Sequence, residues 1–86
     1  MNVRAAIEDM FKAALVNAEA EPPAEFRDDM VLLESGLDSL GFAILVARLE
    51  ERLGYDPFSL MEEPIYPQTF GDFVSVYEKY EDLAKS

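Results

Sequence analysis

The chain has 86 residues, 50% of them apolar, with 18 acids against 7 bases, a formal net charge of −11 and neither cysteine nor histidine. That inventory excludes disulfides, thiolate zinc sites, histidine-based acid–base catalysis and cysteine nucleophiles. The acid excess repels nucleic acid and anionic lipid and favours encounter with basic protein surfaces, while apolar residues spread along the whole length argue for a folded chain rather than a disordered one. The length suits a single domain, 1–86, that buries about 60% of the surface its unfolded form exposes. No apolar run approaches the roughly 18 residues of a membrane span, and Met1-Asn2-Val3-Arg4 followed by Glu8 does not read as a signal peptide, so the expected location is cytoplasmic.

Val3, Ile7, Met10, Phe11, Ala14, Leu15 and Ala18 recur at steps of three and four, which predicts a first helix from about Val3 to Ala18. Glu21-Pro22-Pro23 is expected to end it, because proline lacks the amide hydrogen and pushes the residue before it out of the α region. Pro23 to Leu37 reads as a long connection anchored by Phe26, Met30, Leu32 and Leu33, with a glycine at Gly36. Connections of that length are uncommon unless they serve a function.

A second helix is expected from Asp38/Ser39 to Leu53, stopped by Gly54 with Pro57 beyond it. Pro57 to Glu63 predicts one short helical turn, with Pro64 and Pro67 bracketing Ile65-Tyr66. Thr69 suits the cap of a last helix, with Asp72 three residues on in a capping-box position, and Phe70, Phe73, Val74, Tyr77 and Tyr80 or Leu83 form its buried stripe. Strand-like alternation is missing from the pattern. The expected fold is all-α: a bundle of three main helices plus one short helix, with a long loop between helices one and two.

The second helix carries two apolar rows. Phe42, Leu45, Val46, Leu49 and Leu53 fall on one face and suffice for a core, yet Leu40, Ala43, Ile44 and Ala47 form another row, with Arg48 and Glu51 beside it. A helix apolar on two faces is either covered on both or offers one to a partner. Charge separates the same segment: residues 1–38 carry −6, residues 39–53 are neutral and residues 54–86 carry −5. Cover by the loop or the short helix, and use as a docking face, both remain open at this stage.

The run Leu33-Glu34-Ser35-Gly36-Leu37-Asp38-Ser39-Leu40, followed by a helix ending Leu49-Glu50-Glu51-Arg52-Leu53-Gly54 and a last helix introduced by Pro67-Gln68-Thr69-Phe70-Gly71-Asp72, resembles the acyl carrier protein family over nearly the whole chain. Asp-Ser-Leu alone would be an ordinary helix start; the order of elements around it gives the match its force. The resemblance implies a non-enzymatic carrier that holds acyl or aminoacyl intermediates as thioesters on a 4′-phosphopantetheine arm, taken from coenzyme A and attached to Ser39, with no metal site of its own. Asp38 would support the transfer by helping the transferase hold Mg²⁺. The implied partners are a phosphopantetheinyl transferase, an acyl- or aminoacyl-loading ligase and downstream transferases, acting on a monomer.

Leu40, Ile44, Ala47 and Arg48 are the expected docking residues. Family members in fatty acid synthesis usually carry acids on that face, where this chain has Gly41, Ile44 and Arg48, which points to a specialised biosynthetic pathway for a lipid, secondary metabolite or surface polysaccharide. Phe42 stands where the family usually has a small residue near the mouth of its acyl-binding cleft, which implies short or polar cargo. Two other functions compete: an unmodified helical adaptor of the same fold, and a hydrolase using Glu62 and Glu63, whose adjacency reads better as two solvated acids.

Overall fold

A computed structural model describes residues 2–60 and 67–85, with the side chains of 82–85 outside that description. The elements follow in the order α1 (Val3–Asn17), a short 3₁₀ turn (Leu32–Glu34), α2 (Ser39–Leu53), α3 (Pro57–Leu60) and α4 (Phe70–Lys85). The remainder of the expected short helix beyond Leu60, the pair Ile65-Tyr66, the acids Glu62 and Glu63, and the side chain of Leu83 lie outside the described residues.

Asn2 caps α1, its side-chain oxygen accepting from the Ala5 N–H at 3.1 Å, and Val3, Ala6, Ile7, Phe11 and Leu15 are its buried face. The helix stops before the prolines. Glu19 N–H donates to the Val16 carbonyl at 3.0 Å and Ala20 N–H to the Leu15 carbonyl at 2.8 Å, the paired bonds of a Schellman stop, with Glu19 in the left-handed region at φ 60°. Ala18, expected on the buried stripe, is instead the exposed C-cap. Pro22 and Pro23 therefore direct the loop away from a helix that has already ended.

The loop is pinned at its far end. Phe26, Leu32 and Leu37 are buried, and Phe26 stacks on Phe70 with centroids 5.1 Å apart. Val31 forms an antiparallel bridge with Thr69, in which Leu32 N–H donates to the Gln68 carbonyl at 2.9 Å and Phe70 N–H to the Met30 carbonyl at 2.8 Å. Arg4 reinforces this region from α1: it pairs with Glu8 at 3.0 Å and Asp28 at 2.7 Å, donates to the Phe26 carbonyl at 3.2 Å, and lies over the Phe70 ring. Those bonds, Asp28 first, raise the guanidinium pKa further above its already high value.

The core is aromatic. Phe11 meets Phe26, Phe42 and Phe70 edge-on with centroids 5.5 to 5.9 Å apart, and Phe73 and Tyr77 extend the cluster along α4. On α2, Leu45 and Leu49 are fully buried, while Phe42, Val46 and Leu53 pack half-buried at the margins of the core. Burial of such side chains stabilises by about 1.5–3 kcal/mol each, so the inner row suffices to hold α2 against α1. Tyr55, just beyond α2, is tied to α4 by its hydroxyl, which donates to the Tyr77 carbonyl at 2.7 Å.

Candidate functional site

The segment leading into α2 turns tightly. Ser35 N–H and hydroxyl both donate to the Leu32 carbonyl, closing the 3₁₀ turn. Gly36 then takes φ 112°, and a Cβ there would sit 2.9 Å from the Cβ of Ala20, so a side chain is refused both by backbone conformation and by the close approach of the end of α1. Leu37 is buried and anchors the chain. Asp38 caps α2: its Oδ1 accepts from Gly41 N–H at 2.8 Å and its carbonyl from Phe42 N–H at 3.0 Å.

Ser39 is thereby presented as the first residue of a 15-residue helix, with its side chain exposed. The backbone N–H groups of Ser39 and Leu40 make no hydrogen bond among the described residues. Free amides at the positive end of a helix favour an anion beside them. Asp38 is brought next to Ser39 as expected, and its visible work is to hold the start of α2.

Beside Ser39 lies an apolar cleft of about 640 Å³, lined among others by Leu33, Phe42, Ala43, Phe58 and Phe73. One sequence expectation changes here. Leu33, read as a loop anchor, is 74% exposed and forms part of the cleft wall instead. Phe42, expected near the arm, does line the cleft, and it also packs half-buried against the core, edge-on to Phe11 with centroids 5.6 Å apart. The cleft lining is mostly apolar.

The outer row of α2 is exposed. Leu40 is 69% and Ile44 46% exposed, so neither the described loop nor α3 (Pro57–Leu60) covers them. A groove of about 240 Å³ runs between Leu40, Ile44 and Arg48 on one side and Ala14, Asn17 and Ala18 of α1 on the other. Ala47 is exposed but lines neither the groove nor the cleft, and Ala43 belongs to the cleft. Arg52 is paired with Asp9 of α1 at 3.6 Å, whereas Arg48 has no ion pair or hydrogen bond among the described residues. Sequence reasoning missed Phe58 and Phe73 as cleft residues and the end of α1 as a groove wall. The two phenylalanines signal only core, as Ala14 and Ala18 do in the stripe of the first helix.

A family model described as a phosphopantetheine attachment site matches residues 11–59, more than half of the chain, from the middle of α1 through α2 to α3. No curated protein and no solved structure matches the chain. The residues present fit the 4′-phosphopantetheine that the family carries: an exposed hydroxyl at a helix start, two amides without a hydrogen bond among the described residues that suit a phosphodiester, and an apolar cleft alongside. The chain belongs to the phosphopantetheine attachment family, carrier domains that are not catalysts and whose prosthetic group is 4′-phosphopantetheine.

Proposed function

We propose that Ser39 is the attachment point and that the chain is a single-domain, monomeric, cytoplasmic carrier serving a specialised biosynthetic pathway. The observation that carries the assignment is a difference among the serines. Residues 11–59 contain three, and the hydroxyls of Ser35 and Ser59 donate to the carbonyls of Leu32 and Asp56, while that of Ser39, at the helix start, has no hydrogen bond among the described residues. When attached, the arm supplies the thiol that a chain without cysteine lacks, and so holds acyl or aminoacyl cargo as a thioester.

The chain's own residues do the remaining work. Asp38 fixes the first turn of α2 and so sets where the Ser39 hydroxyl sits, and it stands ready to support transfer from coenzyme A. The amides of Ser39 and Leu40 face a phosphodiester favourably, offsetting repulsion from the Asp38 carboxylate. The apolar cleft shelters hydrocarbon next to the arm. Leu40, Ile44, Ala47 and Arg48 make up the docking face for the transferase, the loading ligase and later enzymes, and the replacement of acids by Gly41, Ile44 and Arg48 there favours a specialised pathway over fatty acid synthesis.

Incubation with a phosphopantetheinyl transferase, coenzyme A and Mg²⁺ followed by intact mass measurement tests the assignment. Wild type, Ser35→Ala and Ser59→Ala should each gain one phosphopantetheine, and Ser39→Ala should gain none while keeping its helical circular dichroism. Modification that persists in Ser39→Ala overturns the site. A wild type left unmodified by several broad-specificity transferases overturns the carrier reading in favour of an unmodified adaptor.

A further inference from the structure

We infer that the groove between α2 and the end of α1 receives an apolar segment of a partner protein that carries a carboxylate opposite Arg48, so that this strongly acidic chain is recognised through an acid on its partner. The inference deepens the carrier reading and rests on it, since it names the chemistry of the enzyme surface that docks beside Ser39.

Three observations combine. Leu40 and Ile44 are exposed large apolar side chains on a helix whose other face already supplies its core contacts. Together with Ala14 and Ala18 of α1 they make a concave strip rather than scattered surface residues. Of the two cations on α2, Arg52 is taken by Asp9, and Arg48, at the far end of the groove, is left without a partner among the described residues.

The groove is polarised. Asp38 stands at its Ser39 end and Arg48 ten residues further on, which at 1.5 Å per residue is roughly 15 Å away. A partner whose docking segment carried lysines or arginines would set like charge against Arg48. One with a carboxylate there and apolar side chains over Leu40 and Ile44 would pair the free guanidinium, whose planar fork suits a carboxylate. Such a segment must approach against the overall charge of −11, which discriminates against acidic surfaces that lack the apolar match.

The test uses the 86-residue apo protein and two helical peptides with the same leucine face, one flanked by glutamates and the other by lysines, followed by amide NMR shifts in 0.15 M salt, where screening over about 8 Å leaves local contacts dominant. The glutamate peptide should shift Leu40, Ile44, Arg48, Asn17 and Ala18. The lysine peptide should shift the acidic surfaces elsewhere. Arg48→Glu should weaken the glutamate peptide about tenfold, whereas Arg27→Glu, an equal change of net charge outside the groove, should alter it by less than about twofold.

Ile44→Glu should remove binding with the melting temperature retained. Shifts from the lysine peptide centred on the groove, an Arg48→Glu protein that binds the glutamate peptide as well as wild type, or no groove shifts at millimolar peptide would each overturn the inference. Because apo protein is used, the outcomes separate: a chain that accepts phosphopantetheine but ignores the glutamate peptide fails this inference alone. One that binds the peptide but accepts no phosphopantetheine fails the carrier reading alone.

Discussion

The starts of α2 and α4 are built from similar sequence and used in opposite ways. Each has an oxygen-bearing cap, Asp38 or Thr69, and a glycine two or three residues on. At α4 the first turn is fully engaged: Phe70 and Gly71 N–H donate to the Met30 and Asp28 carbonyls at 2.8 and 3.0 Å, Asp72 N–H to Thr69 Oγ1 at 3.2 Å, and Phe73 N–H to the Thr69 carbonyl at 3.0 Å. At α2, among the described residues, only the third and fourth amides find acceptors, both on Asp38, and those of Ser39 and Leu40 find none. Orphan amides at a helix start can thus tie down a loop, as those of α4 do at Asp28 and Met30, or be left for a ligand, as at α2 where the same loop ends.

The largest expected effect breaks the closed start. A Cβ on Gly71 would lie 2.9 Å from Asp28 Cβ and 3.1 Å from its carbonyl oxygen, so Gly71→Ala must push the loop away from α4. Gly71→Ala should lower stability by about 1–3 kcal/mol in denaturant melts, in the range of other overpacked sites. It should also raise amide exchange at Phe70 and Leu32, whose bonds form the bridge.

At the open start the corresponding change separates a cap from a charge. Asp38→Ala should cost about 1 kcal/mol of stability through the lost bond to Gly41, whereas Asp38→Asn, an equally good cap, should melt like wild type. Loading by a transferase should fall in both if the carboxylate itself assists. If Asp38→Asn is loaded at the wild-type rate, Asp38 is a cap and nothing more.

Much of this asymmetry was not legible in the sequence. The Asp38 and Thr69 caps, the Gly54 stop at φ 87° and the inner row of α2 follow from local chemistry and periodicity, and the structure has them where the pattern puts them. The end of α1, expected near Ala18, also falls within a residue of that position, although the stop is made by Glu19 in the left-handed region, a type that announces no turn, and not by the prolines downstream. Likewise Leu33 and Leu32 look alike as letters. Only the long-range bridge of Val31 to Thr69 determines that Leu32 turns inward and Leu33 outward, and no local rule encodes a pairing 38 residues apart. The open row Leu40/Ile44 was visible as a surplus of apolar residues, but its exposure was settled only by where the loop goes.

The smallest effect sharpens the contrast. Gly41→Ala places a Cβ 3.1 Å from Leu37 Cδ2 and 3.3 Å from Asp38 Oδ1, contacts with side-chain ends that can shift by tenths of an ångström. Alanine is favoured over glycine in a helix by about 1 kcal/mol, so the two contributions should nearly cancel and the melting temperature should move by only a degree or two, on the order of a few tenths of a kcal/mol. A large loss would mean that the first turn of α2 is as tightly packed as that of α4.

The tyrosine pair that closes the far end of the bundle gives the protein a built-in alkaline indicator. Burial pushes both phenols above their ordinary value, helped by Glu81 and Glu78 for Tyr55 and by Asp56 for Tyr77, whose hydroxyl has no hydrogen-bond partner among the described residues. The unfolded chain therefore ionises first. The stability tied to these phenols is intact below about pH 10 and drains away as the pH climbs from there toward the folded values. With no tryptophan to mask it, the phenolate absorbance of Tyr55 and Tyr77 should appear only as the helices let go.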